Sequence, residues 1–279
     1  MEIIDYIKPV PVIAPDDFRR RFGAQKIESF NLVDVRQPGE YEAGHMPGAR
    51  LAPLGELQDH VQKFDRDKPT VIYCAIGGRS TAAASIFLNA GFREVYSLEG
   101  GYQAWNGPTA KGSPSFGTLY FRGTADPLVL LSLSWALEEN TIRYYKKILS
   151  QYHDIKTMNF FTSLISVEVE HKELILSLYN KLKGQGRKGD FPDIYSSIDD
   201  IDNFIEGGLK LPDILAWAEG RPLNEIIDYS IGLEAQLFDV YTKILGEARD
   251  SDMRLVLTRL ANEEKQHLNR FIRFYEEFL

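Results

Sequence analysis

The sequence predicts two domains of different classes: an α/β domain built on a mainly parallel sheet, followed by an all-α four-helix bundle. The chain has 279 residues, beyond the size at which a single hydrophobic core usually stops growing. Short apolar runs alternate with helical stretches up to about residue 106, and four long segments with period-3.6 apolar faces follow. The first pattern is typical of parallel α/β sheets and the second of helix bundles.

The strands and the linker of the first half can be placed from local composition. Phe30–Val35, Thr70–Cys74 and Glu94–Leu98 are β-branched or aliphatic runs, and Ser80–Asn89 is a helical stretch between the last two. The glycine- and proline-rich stretch 106–124 is typical of a linker, and a flexible chain of that length reaches about 25 Å. We therefore expect domains at 1–108 and 127–279, joined by a linker at 109–126.

The four long helices of the second half are predicted at about 127–151, 154–183, 222–248 and 251–278. Asp126-Pro127 indicates an N-cap residue followed by proline at the first helical position. The stretch 184–221 is interrupted by glycine and proline, and we expect two short helices within it.

Charge and cysteine content exclude several classes of function. A net charge of −8 lacks the basic footprint of a nucleic-acid binder, and no apolar run is long enough to span a membrane. Cys74 is the one cysteine, so an internal disulfide, a zinc–thiolate cluster and a rubredoxin-type iron site are all excluded. A lone thiol, with no signal-like N-terminus, predicts a cytoplasmic protein.

Cys74 is predicted to lie in a tight loop between a strand and a helix. Gly77-Gly78 interrupts the apolar run before a helix that begins near Arg79. Backbone N–H groups and the helix dipole at such a position favour an anion, and so does the charge of Arg79. These effects lower the pKa of a thiol, whose thiolate form is the nucleophile. The alternative is an inert, buried cysteine that packs as a small hydrophobic side chain.

Residues 10–108 resemble the rhodanese family in three segments arranged around this loop. The matching segments are Leu32-Val-Asp34-Val-Arg36 with Glu40-Tyr41 and Gly44–Ala49, then Cys74–Ser80, then Leu98–Trp105. The resemblance implies a rhodanese α/β domain in which Cys74 carries a persulfide and Arg79 binds an anionic sulfane-sulfur donor such as thiosulfate. The substrate-binding loop that it implies comprises Ala75, Ile76, Gly77, Gly78, Arg79 and Ser80.

The first matching segment contains three further polar residues, Asp34, Arg36 and His45. Asp34 and Arg36 match family positions near the active loop, where they are either catalytic or a structural ion pair. We expect His45 to be a turn or packing residue.

Loop length separates two chemistries that occur on this fold. Four residues lie between Cys74 and Arg79, as in sulfurtransferases, whereas the related dual-specificity phosphatases have five. Phosphatase activity is therefore disfavoured. Since the chain has no second cysteine, the outer sulfur must leave to an external acceptor, a thiol or cyanide.

The second half contains an internal repeat of carboxylates and histidines. The pattern Phe161-x-x-Leu164-x-x-x-Glu168-x-x-His171 recurs at Leu257-x-x-Leu260-x-x-x-Glu264-x-x-His267, displaced by 96 residues. With the same displacement, Glu138 aligns with Glu234 and Tyr145 aligns with Tyr241. A single Glu-x-x-His pair is more simply a solvated surface pair, but here the carboxylates lie within apolar stripes. Neighbouring Glu139 and Glu170 fall outside those stripes.

A carboxylate inside a buried stripe is costly unless it is paired or binds a metal ion. One Glu from each of two helices, with a Glu-x-x-His from each of the other two, is the di-iron pattern of ferritin-like bundles. A metal-free bundle with buried salt bridges is disfavoured, because the stripes offer no Lys or Arg partners. The predicted ligands are Glu138, Glu168, His171, Glu234, Glu264 and His267.

Residues 127–279 resemble the rubrerythrin-like branch of the ferritin-like superfamily, with 184–221 as the crossover between helix pairs. The resemblance implies two iron ions, or other divalent metals, with Glu138 and Glu234 as terminal ligands and Glu168 and Glu264 as bridges. Each histidine would bind one ion, and Tyr145 and Tyr241 would hydrogen-bond the ligands or serve packing. Leu237 stands where rubrerythrins carry a further Glu. That difference puts rubrerythrin-type peroxidase activity in doubt.

Three functions remain open from the sequence. The first is a thiosulfate sulfurtransferase-like enzyme coupled to a di-iron oxidoreductase that acts on oxygen, peroxide or sulfur species, with an external electron donor. The second is a persulfide carrier attached to an oxidant-sensing bundle. The third is an iron-handling protein with the rhodanese as a docking module. A homodimer formed through the bundle is the assembly we consider.

Overall fold

The computed structural model describes residues 10–113, 126–184, 191, 203–206 and 209–278. The chain divides into two compact units, Met1–Phe116 and Gly117–Leu279. Most of the predicted linker lies outside the described residues. Within the described ranges, none of the helices combines the length and the apolar composition needed to cross a bilayer.

The first unit is a parallel α/β sheet, as the sequence predicts. Its strands are β1 (Val12–Ile13), β2 (Asn31–Asp34), β3 (Arg50–Leu51), β4 (Thr70–Tyr73) and β5 (Val95–Leu98). They pair in the order β1-β5-β4-β2-β3, and every pairing is parallel. All four residues of central β4 are buried, because helices cover both faces of a parallel sheet.

Four helices accompany this sheet: α1 (Pro15–Phe22), α2 (Pro38–Ala43), α3 (Leu57–His60) and α4 (Gly78–Asn89). The predicted strands and the helix ending at Asn89 are confirmed to within two residues at each end. In parallel sheets, ligands bind beyond the carboxyl ends of the strands. Asp34, Cys74 and Glu99 all lie at that edge, at the ends of β2, β4 and β5.

The second unit contains the four predicted long helices. They are α5 (Pro127–Leu149), α6 (Ile155–Lys183), α8 (Leu223–Glu247) and α9 (Ser251–Phe278). α5 packs along α6, and α8 packs along α9. The predicted cap of α5 is confirmed, because Asp126 Oδ1 accepts a hydrogen bond from the Leu128 N–H at 2.9 Å.

The crossover between the helix pairs is described in part: residues 185–190, 192–202 and 207–208 lie outside the described residues, so the expectation of two short helices is tested only for the remainder. Its described part contains one helix, α7 (Leu211–Ala218), and a short antiparallel hairpin of β6 (Phe204–Ile205) and β7 (Leu209–Lys210). One short helix of the expected two is thus observed, and the sequence did not predict the hairpin because its strands have two residues each, too few to show an alternating pattern. Ile205 is buried in the bundle core, so the hairpin is part of the packed unit.

Candidate functional sites

Cys74 directly follows β4 in the tight loop that leads into α4, as predicted. The residue is buried, and the Gly77 N–H donates a hydrogen bond to its Sγ at 3.1 Å. The Ser80 hydroxyl lies 3.5 Å from the same sulfur. Gly77 has a φ of 109°, a left-handed conformation that glycine adopts without strain, and this turn directs the N–H inward. The loop is therefore a small cradle of donors around one sulfur atom.

The donors of this loop control the ionisation of the thiol. Burial is the largest single influence and acts against the thiolate. Hydrogen bonds from the Ser80 hydroxyl, and from the backbone at Ser80, Gly77 and Ile76, act in the opposite direction and outweigh it. The pKa of Cys74 is lowered as a result. A thiol with this property in a cradle of N–H groups is typical of a nucleophilic cysteine.

The turn at Gly100-Gly101, after β5, packs against the Cys74 loop and hydrogen-bonds to its main chain. The Tyr102 N–H donates to the Cys74 carbonyl at 2.7 Å, and the Gln103 N–H donates to the Ala75 carbonyl at 3.0 Å. Gly101 has a φ of 59°, and a Cβ atom added there would lie 2.4 Å from the Cys74 carbonyl oxygen. The glycine is thus required by both its conformation and the close approach of the two chains.

Arg79 is held at the edge of the loop by Glu40 of α2. Its guanidinium donates two hydrogen bonds to the Glu40 carboxylate, each 2.7 Å long. This pairing lowers the pKa of Glu40 to about 2 and raises that of Arg79, to which attraction by Cys74 also contributes. Ile76, next to Cys74 in the loop, is 69% exposed. The loop therefore presents a fixed cation and one apolar side chain beside the cysteine.

Asp34 and Arg36 form a buried ion pair. The Arg36 guanidinium donates to Asp34 at 2.7–3.0 Å and to the Gly44 carbonyl at 2.7 Å. It also lies 4.2 Å from the centre of the Tyr102 ring, in the segment that supports the Cys74 loop. These contacts favour the structural ion pair of the two alternatives. A catalytic role for either residue stays a prediction.

His45 is a packing residue, as expected. Its ring stacks on Tyr41 at a centroid distance of 3.6 Å, and its Nδ1 lies 2.8 Å from the Tyr41 carbonyl.

The six predicted ligands of the second unit lie together in one buried cluster between the four long helices. They are Glu138 of α5, Glu168 and His171 of α6, Glu234 of α8, and Glu264 and His267 of α9. Three sets of three of these residues bring their ligand atoms within 4.8 Å of one another. The sets are Glu138, His171 and Glu264; Glu234, Glu264 and His267; and Glu168, His171 and His267. Glu264 shares a set with each terminal carboxylate, and Glu168 shares one with both histidines, as expected of bridging carboxylates.

Most of the polar atoms of this cluster lack a hydrogen-bond partner in the described structure, and such unpartnered buried atoms are what a metal site requires. His171 Nδ1 approaches Glu138 Oε1 to 2.6 Å, but the contact does not have hydrogen-bond geometry. The buried atoms without a hydrogen-bond partner in the described structure include both oxygens of Glu138, Glu168 and Glu264, Oε2 of Glu234, both ring nitrogens of His171 and Nδ1 of His267. Carboxylate and imidazole atoms aimed at shared points suit iron and related divalent metals. The donor set therefore fits two such ions.

Burial and mutual repulsion disfavour the charges of this cluster in the absence of cations. Burial raises the pKa of Glu168 and Glu264 well above the usual range, and neighbouring carboxylates add to the effect. Burial acts in the same sense on Glu138, but attraction to the charge of His171 outweighs it and lowers the pKa of this carboxyl. The cluster thus needs either bound protons or bound cations to be stable inside the bundle.

The predicted register of the helices is confirmed at the flanking glutamates. Glu139 forms ion pairs with Lys172 and Arg143 at the surface of the bundle, and Glu170 is exposed. Neither belongs to the buried cluster.

Of the two repeat-related tyrosines, Tyr145 contacts a predicted ligand directly. Its hydroxyl donates to Glu234 Oε1 at 3.0 Å, across from α5 to α8. The Tyr241 hydroxyl donates to Ser134 Oγ at 2.8 Å. Tyr145 therefore fixes the orientation of a predicted ligand.

Sequence reasoning missed one residue of the cluster, Glu206. It follows β6 in the crossover, is fully buried, and brings a carboxylate oxygen within 4.8 Å of ligand atoms of Glu138 and Glu168. In the sequence it precedes Gly207-Gly208, where it is indistinguishable from an ordinary polar turn residue.

The two units define a fusion of two modules, one of sulfurtransferase type and one of di-iron carboxylate type. The model of the family described as Rubrerythrin matches residues 130–275, and that of the Rhodanese-like domain matches residues 14–108. Since the first match covers more than half of the chain, the protein belongs to the rubrerythrin family and carries a rhodanese-like domain before its bundle.

Individual relatives match the first unit. Uncharacterized protein YqhL of Bacillus subtilis is 42% identical over 76 residues, which are 27% of this chain and 60% of that protein, less than two thirds of its length. Thiosulfate sulfurtransferase GlpE of Pseudomonas paraeruginosa is 39% identical over 95 residues, 33% of this chain and 81% of that enzyme. A solved structure of a rhodanese-related protein from Thermoplasma volcanium is 28% identical in sequence, with a TM-score of 0.32. The match covers 36% of this chain and 96% of the Thermoplasma volcanium chain.

The Cys74 cradle generates a prediction about thiol ionisation. Replacing Ser80 by alanine (Ser80→Ala) should raise the pKa of the Cys74 thiol, because one of the donors that stabilise the thiolate is lost. Because Cys74 is the one thiol of the chain, the ultraviolet absorbance against pH, after subtraction of the same titration of Cys74→Ser to remove the contribution of the tyrosines, reports its ionisation.

Ser85→Ala is the matched control, since the Ser85 hydroxyl bonds the Thr81 carbonyl on the same helix. Equal titration midpoints in the wild type and Ser80→Ala would show that the hydroxyl does not stabilise the thiolate.

Proposed function

We propose that the N-terminal domain is a sulfurtransferase in which Cys74 carries the transferred sulfur. The observation that carries this proposal is the single thiol in a loop whose N–H and hydroxyl groups surround Sγ and lower its pKa. Arg79, fixed by Glu40 at the loop edge, supplies a positive charge for an anionic donor such as thiosulfate. The match to a thiosulfate sulfurtransferase over most of that enzyme's length supports the same class of reaction.

The transfer proceeds in two displacements at sulfur. The Cys74 thiolate attacks the outer sulfur of thiosulfate; a new S–S bond forms at Cys74, and the donor's S–S bond breaks. Its electron pair leaves with sulfite. An acceptor thiolate or cyanide then attacks the outer sulfur of the Cys74 persulfide, and the Cys74 thiolate is regenerated as the leaving group. The acceptor is external because the chain has no second cysteine.

We also propose that the bundle holds two iron ions or other divalent metals through the six predicted ligands. Glu138 and His171 would bind one ion, Glu234 and His267 would bind the other, and Glu168 and Glu264 would bridge them. Bound iron would supply redox chemistry toward oxygen, peroxide or sulfur species, with an external electron donor. Tyr145 holds the Glu234 carboxylate in place. The burial of all six side chains excludes bulk water from the centre.

The presence of both modules in one chain favours a shared substrate, so we propose that the persulfide on Cys74 is oxidised in a reaction that the bundle promotes. The outer sulfur would lose four electrons and leave as sulfite when the S–S bond to Cys74 breaks, and Cys74 would return to the thiol. One oxygen molecule with one water, or two molecules of peroxide with release of one water, would accept the electrons and supply the oxygen atoms. A persulfide carrier joined to an iron-handling or oxidant-sensing bundle is the alternative. We place the protein in the cytoplasm, where a lone thiol stays reduced, and a homodimer through the bundle stays a prediction.

The first test replaces the nucleophile. Cys74→Ser should reduce sulfur transfer from thiosulfate to cyanide to the uncatalysed background, because a serine hydroxyl cannot form the persulfide. Thiocyanate formation measures the transfer. Far-ultraviolet circular dichroism should show unchanged helix content, since Cys74 is not part of the bundle. Turnover at the wild-type rate would overturn the sulfurtransferase proposal.

The second test measures the metal content of ligand variants. The wild type should bind about two irons per chain, and Glu168→Ala or His267→Ala should lose at least one of them. Glu170→Ala, on the same helix as Glu168, and Glu139→Ala, next to Glu138 on α5, are the controls, because both side chains lie outside the cluster. Equal iron loss in both pairs, measured by elemental analysis, would contradict the assigned ligands.

The third test asks whether the two modules act on the same sulfur. Persulfide loaded on Cys74 should disappear faster in air or peroxide in the wild type than in Glu168→Ala, with Glu170→Ala behaving as the wild type. Mass spectrometry of the intact chain measures its lifetime. Identical lifetimes in all three proteins would leave two independent activities in one chain.

A further inference from the structure

Glu206 is a buried carboxylate that the six-ligand assignment leaves without a role. Its side chain is 0% exposed, and neither carboxylate oxygen has a hydrogen-bond partner. Its nearest titratable neighbours are themselves carboxylates, since its ligand oxygen lies within 4.8 Å of those of Glu138 and Glu168. The crossover segment thus delivers a fifth carboxylate to the centre of the bundle.

The position of Glu206 is fixed by contacts of the main chain around it. The Asn140 side chain donates to the Phe204 carbonyl at 2.8 Å, which ties β6 to α5 two residues beyond Glu138. Ile205 anchors the same strand in the apolar core of the bundle. The Glu206 N–H is 3.5 Å from Thr141 Oγ1, again on α5. The helix that carries Glu138 therefore also holds Glu206 beside it.

A carboxylate in this place destabilises the metal-free fold. None of the described Lys or Arg side chains forms an ion pair with Glu206, so nothing in the described part of the chain offsets its desolvation. Its neighbours Glu138 and Glu168 are carboxylates as well, so their negative charges add to the free-energy cost of burying it. An apolar side chain would pack there at lower free energy, so the carboxylate requires a role that an apolar residue cannot fill.

We propose that Glu206 is a seventh protein ligand of the centre and binds the ion held by Glu138 and His171. This inference rests on the proposed metal centre.

The seventh ligand makes the two metal positions unequal. Four carboxylates and two neutral imidazoles balance the charge of two divalent ions, and the fifth carboxylate leaves one negative charge in excess. Since Glu206 lies on the Glu138 side, the ion at that position gains both an extra donor and extra negative charge. Glu206 therefore strengthens binding there and favours a more highly charged ion.

The experiment is an anaerobic cobalt(II) titration of metal-free wild type, Glu206→Gln and Glu170→Gln, in competition with a chelator. Cobalt absorbance reports the number of donors around each ion. The wild type and Glu170→Gln should bind two ions alike. Glu206→Gln should bind one of the two at least about tenfold more weakly, with a spectrum of lower coordination number.

Each outcome has a distinct meaning. If the wild type binds two ions and Glu206→Gln has the same affinities and spectrum, Glu206 is a protonated neighbour of Glu138 and the seventh ligand is overturned. If the wild type binds no ion, the proposed centre itself fails. Should Glu206→Gln not fold, Glu206→Asp retains the charge but shortens the reach, and one weakened ion is again expected. If Glu206→Asp bound both cobalt ions with the affinities of the wild type, the assignment of Glu206 as a ligand would be contradicted.

Discussion

The bundle depends on one constraint: buried carboxylates that face one another need bound cations or bound protons to offset their repulsion. Four long helices and one hairpin each bring acidic groups to the same small volume, and few of those oxygens have a protein partner. Hydrophobic packing around Phe161, Ile205 and Phe271 holds the helices together against that repulsion. The buried carboxylates therefore lower the stability of the fold, and residues that do so are typical of a functional site.

In the N-terminal domain the buried charge is a single one, that of the Cys74 thiolate, and the dipoles of nearby N–H and hydroxyl groups stabilise it. Its cradle uses the N-terminus of α4 and the turn at Gly77, and it needs Gly101 because the supporting turn passes so close to the loop. The Arg79–Glu40 pair adds a cation whose position is fixed by two hydrogen bonds. Both proposed sites are held by helices and strands, an arrangement that lowers the cost of reorganisation on binding.

Much of both sites was predictable because the responsible signals are local or periodic. The 96-residue repeat identified Glu138 and Glu234, and the helical period separated Glu168 from Glu170. Glu206 was not predictable, because its place beside Glu138 depends on the contact between Asn140 and a strand 64 residues away. β1 and β3, with two residues each, carry too little pattern to be recognised. The partner of Arg79 lies 39 residues away and leaves no periodic signal either.

The central claim is that the buried cluster is a binding site for two metal ions. The most direct measurement is anomalous X-ray scattering, at the iron absorption edge, from crystals of the aerobically purified protein. We expect two neighbouring peaks enclosed by Glu138, Glu168, His171, Glu234, Glu264 and His267. A cluster without peaks in iron-supplemented crystals, with its carboxylates hydrogen-bonded to one another, would contradict the account.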